Sequence, residues 1–122
     1  MTNARPARPI RIRRAGAVTN AIHRARHGAV VGIRGPFGSH FPMRKMHGHD
    51  VLLIAGGLGL APLRAPIFHV TENRADYRRV NIVYGTRDKS QLLFDYQYEQ
   101  WRRVNGVELS IIVGDGKPGV DV

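Results

Sequence analysis

The chain has 122 residues, 43% of them hydrophobic, with no cysteine and a formal net charge of +10. That length admits one domain or less, and without cysteine there is no disulfide framework and no thiolate-held metal or iron–sulfur centre. No apolar run reaches the roughly 18–20 residues of a membrane span and no charged-then-apolar leader opens the chain, so a soluble, cytoplasmic protein is expected.

In chain order, residues 1–9, "MTNARPARP", are Pro- and Arg-rich without periodicity and are expected to form a disordered lead-in. "IRIRRAG" alternates briefly and predicts a short one-faced strand ending at Gly16. "TNAIHRARHG" predicts a short helix with Thr19 as its N-cap and Gly28 as its stop. "AVVGIRG" predicts a second strand, closed by the turn "GPFG". The texture changes after residue 49. "DVLLIAG" is a continuous apolar run, the pattern of a strand buried on both faces of a parallel sheet. "PLRAPIFHVTENR" predicts a helix with Pro62 in its first turn and Leu63, Ile67 and Val70 on one face. "RVNIVYG" predicts a second buried strand. "SQLLFDYQYEQWRRV" predicts a helix capped by Ser90, with Phe94, Tyr98 and Trp101 along its apolar stripe. "VELSIIVG" predicts a third strand, and "DGKPGVDV" a loop. Residues 50–114 therefore read as β-α-β-α-β, one mononucleotide-binding half of a doubly wound sheet.

Asp50 is the first acidic residue, so the charge before it is all positive, while from Asp50 onward basic and acidic residues balance. Such a basic half fits nucleic acid, a phosphate-rich cofactor or an acidic partner. At the first βα turn stands Gly57-x-Gly59-x-x-Pro62. Glycines there permit a tight reversal and the approach of backbone N–H groups to a pyrophosphate, which the following helix N-terminus favours. They are equally compatible with a turn that only brings strand and helix together. The third glycine of the dinucleotide fingerprint is replaced by Pro62. The acidic residue that would meet a ribose hydroxyl is absent, the second strand ending in Gly85-Thr86-Arg87.

The segments "RGPFG", "DVLLIAGGLGLAPLRAPI" and "VYGTRDKSQLLFDYQYEQW", in this order and spacing, resemble the ferredoxin–NADP reductase family. The likeness is closest to the flavin- and NAD(P)H-binding subunits, of gamma or B type, of sulfhydrogenases and anaerobic sulfite reductases. It covers roughly residues 11–114. The resemblance implies that Gly57, Gly59, Leu60, Ala61 and Pro62 cradle the NAD(P) pyrophosphate. It places Gly85, Thr86 and Arg87 at the adenosine ribose or its 2′-phosphate, and Gly16, Val18 and Thr19, within "RRAGAVTNAIH", at a flavin (FAD) pyrophosphate. For Thr19 plain helix capping is a compatible role, and for Arg87 the alternative is a solvated turn charge paired with Asp88. The implied fold is α/β: a partial doubly wound parallel sheet preceded by the last part of a flavin-binding β-barrel. Residues 10–49 would end that barrel and residues 50–122 form an incomplete Rossmann-like NAD(P)-binding domain.

The family's Arg-x-Tyr-Ser/Thr flavin-stacking motif is absent, as are its C-terminal Cys-Gly motif and the iron–sulfur cysteines of the nearest relatives. A chain truncated at both ends is therefore expected, whose catalysis depends on the rest of such a subunit. The implied activity is electron transfer from NAD(P)H through flavin to iron–sulfur partners in a hydrogenase or reductase complex, or the reverse. No acid–base constellation is needed, because the cofactors carry the chemistry. No catalytic side chain is singled out. His23 and His27, at i and i+4, and His47 and His49 lack placed companions for a metal, so none is expected. "GDGKPG" lacks the P-loop frame. The alternative of a different class is a non-enzymatic basic α/β module, holding nucleic acid or docking in a redox complex. No aromatic residue precedes Phe37 to stack bases, which weighs against nucleic acid.

Overall fold

A computed structural model describes residues 10–114; the expected lead-in at 1–9 and the loop "DGKPGVDV" lie outside the described residues. The chain divides into two compact units, Met1–Gly38 and Ser39–Val122.

In the first unit the described structure contains one helix, α1 (Ala17–Arg24), which buries no residue. The two strands expected at 10–16 and 29–35 are not formed: neither segment joins a ladder. Alternation makes a segment able to pair, but a strand exists only against a partner. None is present beside Val30, which is 98% exposed. Thr19 is not the N-cap of α1 either. That position is Gly16, and the Thr19 hydroxyl reaches back to accept from the N–H groups of Ala15 and Gly16 at 2.9 and 3.0 Å.

The second unit holds a three-stranded parallel sheet, β1 (Val51–Gly56), β2 (Val80–Thr86) and β3 (Val107–Val113), in the order β1-β2-β3. Two crossovers connect the strands, one through α2 (Leu60–Glu72) and one through 3₁₀ turns and the short α3 (Tyr98–Arg102). Register places Val51, Val80 and Val107 side by side, then Leu53, Ile82 and Leu109, then Ala55, Tyr84 and Ile111. These side chains share one face. α2 covers it with Leu60, Ile67 and Val70, and the α3 segment with Phe94, Tyr98 and Trp101, all buried. A sheet whose strands advance steadily in one direction, with right-handed crossovers, places both connections on the same side.

Within the second unit, no described residue covers the opposite face. β1 is buried on one face only, with Leu52 59% and Ile54 66% exposed, where the apolar run predicts burial on both. An all-apolar strand records what its residues could bury, whereas the number of covering layers depends on the neighbours it meets.

The helix expected across 90–104 is shorter and starts later. Phe94 has φ 59°, a left-handed conformation that an α-helix cannot pass through, so only Tyr98–Arg102 is α-helical. Ser90 caps nothing: it lies inside a 3₁₀ turn (Lys89–Gln91) capped by Asp88, whose carboxylate accepts from the Ser90 N–H at 2.7 Å, and the N-cap of α3 is Gln97. That hydrogen bond lowers the Asp88 pKa. Phe94, Tyr98 and Trp101 are core residues nonetheless.

Two tyrosines hold the β2–α3 connection from beneath. The Tyr84 hydroxyl accepts from the Leu93 N–H at 3.3 Å and donates to the Gln91 carbonyl at 3.4 Å, while the Tyr98 hydroxyl donates to the Leu93 carbonyl at 2.8 Å. Burial above all, with the nearby Tyr84 and Asp95, pushes the Tyr98 pKa up to about 12. The folded chain thus keeps the phenolic proton more tightly than the unfolded one. The stability this contributes is complete below the ordinary tyrosine range and is lost as pH rises toward 12. Tyr98→Phe is expected to cost about 1 kcal/mol at neutral pH through the lost hydrogen bond. Denaturant melts between neutral and strongly alkaline pH should also show a shallower alkaline decline for the variant than for the parent chain.

Candidate functional site

The C-terminal ends of the parallel strands are where a sheet of this kind receives ligands. There β1 runs out at Gly56, a 3₁₀ turn spans Gly57–Gly59, and α2 starts at Leu60 with Gly59 as its N-cap. Among the described residues no side chain caps α2, which leaves the positive end of its dipole without a side-chain cap.

The reasons for the glycines separate cleanly. Gly57 has φ 48°, a left-handed conformation that a Cβ would strain. Gly59 is ordinary right-handed backbone, φ −61° and ψ −16°, which any residue adopts. Among the described residues, a Cβ built on Gly56, Gly57 or Gly59 would meet nothing within 4 Å. A turn whose glycines served only to let strand and helix close together would place protein atoms against those positions. Instead the space beside Gly59 is open, which is what a pyrophosphate lying on the helix N-terminus needs. Of the other residues expected here, Leu60 is buried in the core and Ala61 is half-buried, while Pro62 is exposed in the first turn, where its missing N–H costs nothing.

Gly85 pairs with Gly56 across the ladder, so two side-chain-free residues lie side by side at this edge, on the uncovered face. Thr86 ends β2, its hydroxyl 3.5 Å from the Asp88 carbonyl. Arg87 follows, exposed and without an ion pair among the described residues, since the Asp88 carboxylate is committed to Ser90. The expected Arg87–Asp88 pairing is not formed. The fold therefore brings Gly57, Gly59, Leu60, Ala61, Pro62, Gly85, Thr86 and Arg87 to one edge of one sheet. Gly16, Val18 and Thr19 belong to the other unit, where with Ala15 and Ala17 they line a shallow depression. The amides of Ala15 and Gly16 are already taken by Thr19.

Two residues that sequence reasoning passed over, Arg64 and Gln97, come together with Phe94, which it read only as part of an apolar stripe. The Arg64 guanidinium donates from Nε to Gln97 Oε1 at 3.0 Å and lies 4.1 Å from the Phe94 ring centroid. A basic residue within "APLRAPI" followed by a distant glutamine carries no spacing signal, so only the three-dimensional contact exposes the group.

A cleft of about 530 Å³ between residues 40–45 and His69 lies at the opposite end of α2 from the glycine turn. Among the described residues no group of three His, Cys, Asp or Glu is placed to hold a metal ion. α1 ends at Arg24, so His27 does not share its face with His23, whose ring instead meets the Ile12 carbonyl at 2.8 Å. No helix among the described residues is long and apolar enough to cross a membrane.

A parallel β-α-β-α-β sheet with an open glycine turn at its C-terminal edge is the class of a mononucleotide-binding half. The model of the oxidoreductase NAD-binding domain matches residues 53–113, and the chain belongs to that family. It is 44% identical over 89 residues to sulfhydrogenase 2 subunit gamma of Pyrococcus furiosus, covering 71% of this chain and 31% of that protein. It is 37% identical over 110 residues to the probable dihydroorotate dehydrogenase B (NAD(+)), electron transfer subunit, of Methanothermobacter thermautotrophicus, covering 90% and 38%. Among solved structures, the CS-b5R domains of human Ncb5or (NAD+ form) share the fold, with a TM-score of 0.67 at 20% identity over 85% of this chain and 29% of that one. The chain spans about a third of the length of the curated relatives it matches.

Proposed function

We propose that this chain is the NAD(P)H-binding part of a flavin-dependent oxidoreductase. It would pass electrons from NAD(P)H by way of flavin to iron–sulfur partner subunits in the cytoplasm, or in the reverse direction. The observation that carries the reading is Gly59: neither its backbone conformation nor any neighbouring atom requires a glycine, and the space it leaves borders an uncapped helix N-terminus. In this reading Gly57, Gly59, Leu60, Ala61 and Pro62 hold the pyrophosphate. Gly85 and Thr86 lie against the adenosine ribose, and Arg87, having no carboxylate partner among the described residues, accepts a 2′-phosphate when NADP is the ligand. In the first unit, Gly16, Val18 and Thr19 hold a flavin pyrophosphate. Nicotinamide and flavin supply the hydride chemistry when bound; the chain binds and orients them. The named subunits among the relatives support a place in a multi-subunit redox complex over an isolated nucleic-acid-binding module.

Gly59→Val is a clean test, because its Cβ meets nothing within 4 Å among the described residues and its backbone angles suit valine. Calorimetric titration should give NADH and NADPH affinities at least about tenfold weaker than for the parent chain, with an unchanged melting temperature. Equal affinities would refute the site. Arg87→Ala should weaken NADPH alone if the 2′-phosphate is read there.

A further inference from the structure

Arg64 projects from the second turn of α2 toward the connection that follows β2. Its Nε donates to Oε1 of Gln97, which is only 8% exposed, and its Cζ lies 4.1 Å from the ring centroid of Phe94 and 5.4 Å from that of Phe68. It forms no ion pair among the described residues. A half-buried guanidinium without a carboxylate is costly unless its hydrogen bond and its aromatic partners compensate. Phe94 meets it from a left-handed backbone conformation, strained for a bulky side chain and therefore held in place by its surroundings. α2 begins at the glycine turn, and the strand-to-helix connection tethered by Phe94 and Gln97 begins at Arg87.

We propose that Arg64 is a positioning residue that sets the spacing between the pyrophosphate half and the adenosine half of the nucleotide site. The inference rests on the nucleotide reading above and adds to it. A ligand that spans both halves gains affinity when their separation is already set, because it need not order them on binding. A ligand confined to one half gains nothing from that spacing. Replacing Arg64 by methionine keeps the apolar stem beside Phe68 and Phe94 while removing the donor and the charge.

The experiment titrates four probes into the 122-residue chain and its Arg64→Met variant: NADH and ADP-ribose, which span both halves, and adenosine and inorganic pyrophosphate, which each engage one. NADH and ADP-ribose are expected to weaken by about tenfold, and adenosine and pyrophosphate by less than about twofold. In the ligand-free chain, amide hydrogen exchange across residues 88–97 should accelerate in the variant while the β2 amides stay protected. If Arg64→Met does not fold, Gln97→Met removes the hydrogen bond alone and should give the same pattern at about threefold. An equal loss on all four probes, or no loss on the spanning pair, overturns the inference. If the parent chain binds none of the probes, or Gly59→Val binds NADH as the parent does, the nucleotide site falls and this inference with it. If Gly59→Val loses affinity while Arg64→Met keeps it, this inference alone falls.

Discussion

Ile82→Ala is expected to destabilise the chain by about 2–5 kcal/mol, while Ile54→Ala, the same chemical change one strand away, should cost less than about 1 kcal/mol. Ile82 is 1% exposed, in the middle of β2 beneath both crossovers, so truncation leaves a cavity that its neighbours fill only in part. Ile54 stands on the uncovered face of β1, and its removal deletes surface already in contact with water. Denaturant unfolding of the two variants beside the parent chain measures both. A large cost at Ile54 would mean that this face is covered in solution. The melt would then depend on protein concentration if a second copy did the covering.

Gly106→Val should cost about 3 kcal/mol or more, from two additive causes. Gly106 has φ 74°, which a β-branched residue tolerates poorly. A Cβ there would also collide with the Arg74 side chain. That side chain joins two connections at the N-terminal edge of the sheet: Nη1 donates to the Tyr77 carbonyl at 2.7 Å, Nε to Asn105 at 2.9 Å and Nη2 to Gly106 at 3.0 Å. Displacing it removes all three hydrogen bonds, the Gly106 carbonyl keeping only the Val80 N–H at 3.1 Å. Arg74→Met should destabilise by about 2 kcal/mol, because Gly106 then keeps its conformation and loses only the hydrogen bonds. Thermal melts of the two variants decide the ranking, and a Gly106→Val chain as stable as Arg74→Met would remove the conformational contribution. Both sites lie at the opposite end of the strands from the glycine turn, so at temperatures where each variant remains folded, NADH affinity should be unchanged.

Much of the second unit was legible in the sequence because its signals are local. β1, β2 and β3 are short apolar runs rich in β-branched residues between turn residues, and α2 starts within two residues of Pro62. Glycine and proline at one βα turn, followed by Gly85-Thr86-Arg87 at the next strand end, marked the same edge of the sheet that the fold brings together. Where the reading failed, a distant contact or a single backbone angle outweighed the pattern. Phe94, Tyr98 and Trp101 have helical spacing and do face the core, yet they reach it from a 3₁₀ turn and a short helix because Phe94 is left-handed. The alternation in residues 10–16 and 29–35 describes segments that could pair, and pairing needs a neighbour that periodicity does not specify.

The sequence by itself determined the order β-α-β-α-β, the identity of most core side chains and the position of the glycine turn, since each follows from propensity and spacing within a few residues. Only the tertiary structure decided which face of β1 is buried, because that depends on where α2 and α3 come to rest. It alone separated Gly57, which its backbone angle requires, from Gly59, which nothing among the described residues requires. It also joined Arg64 to Gln97 and Phe94, and Arg74 to Gly106, across some thirty residues of chain. Those contacts form when the crossovers fold back over the sheet, and no local preference encodes the distance between side chains so far apart in sequence.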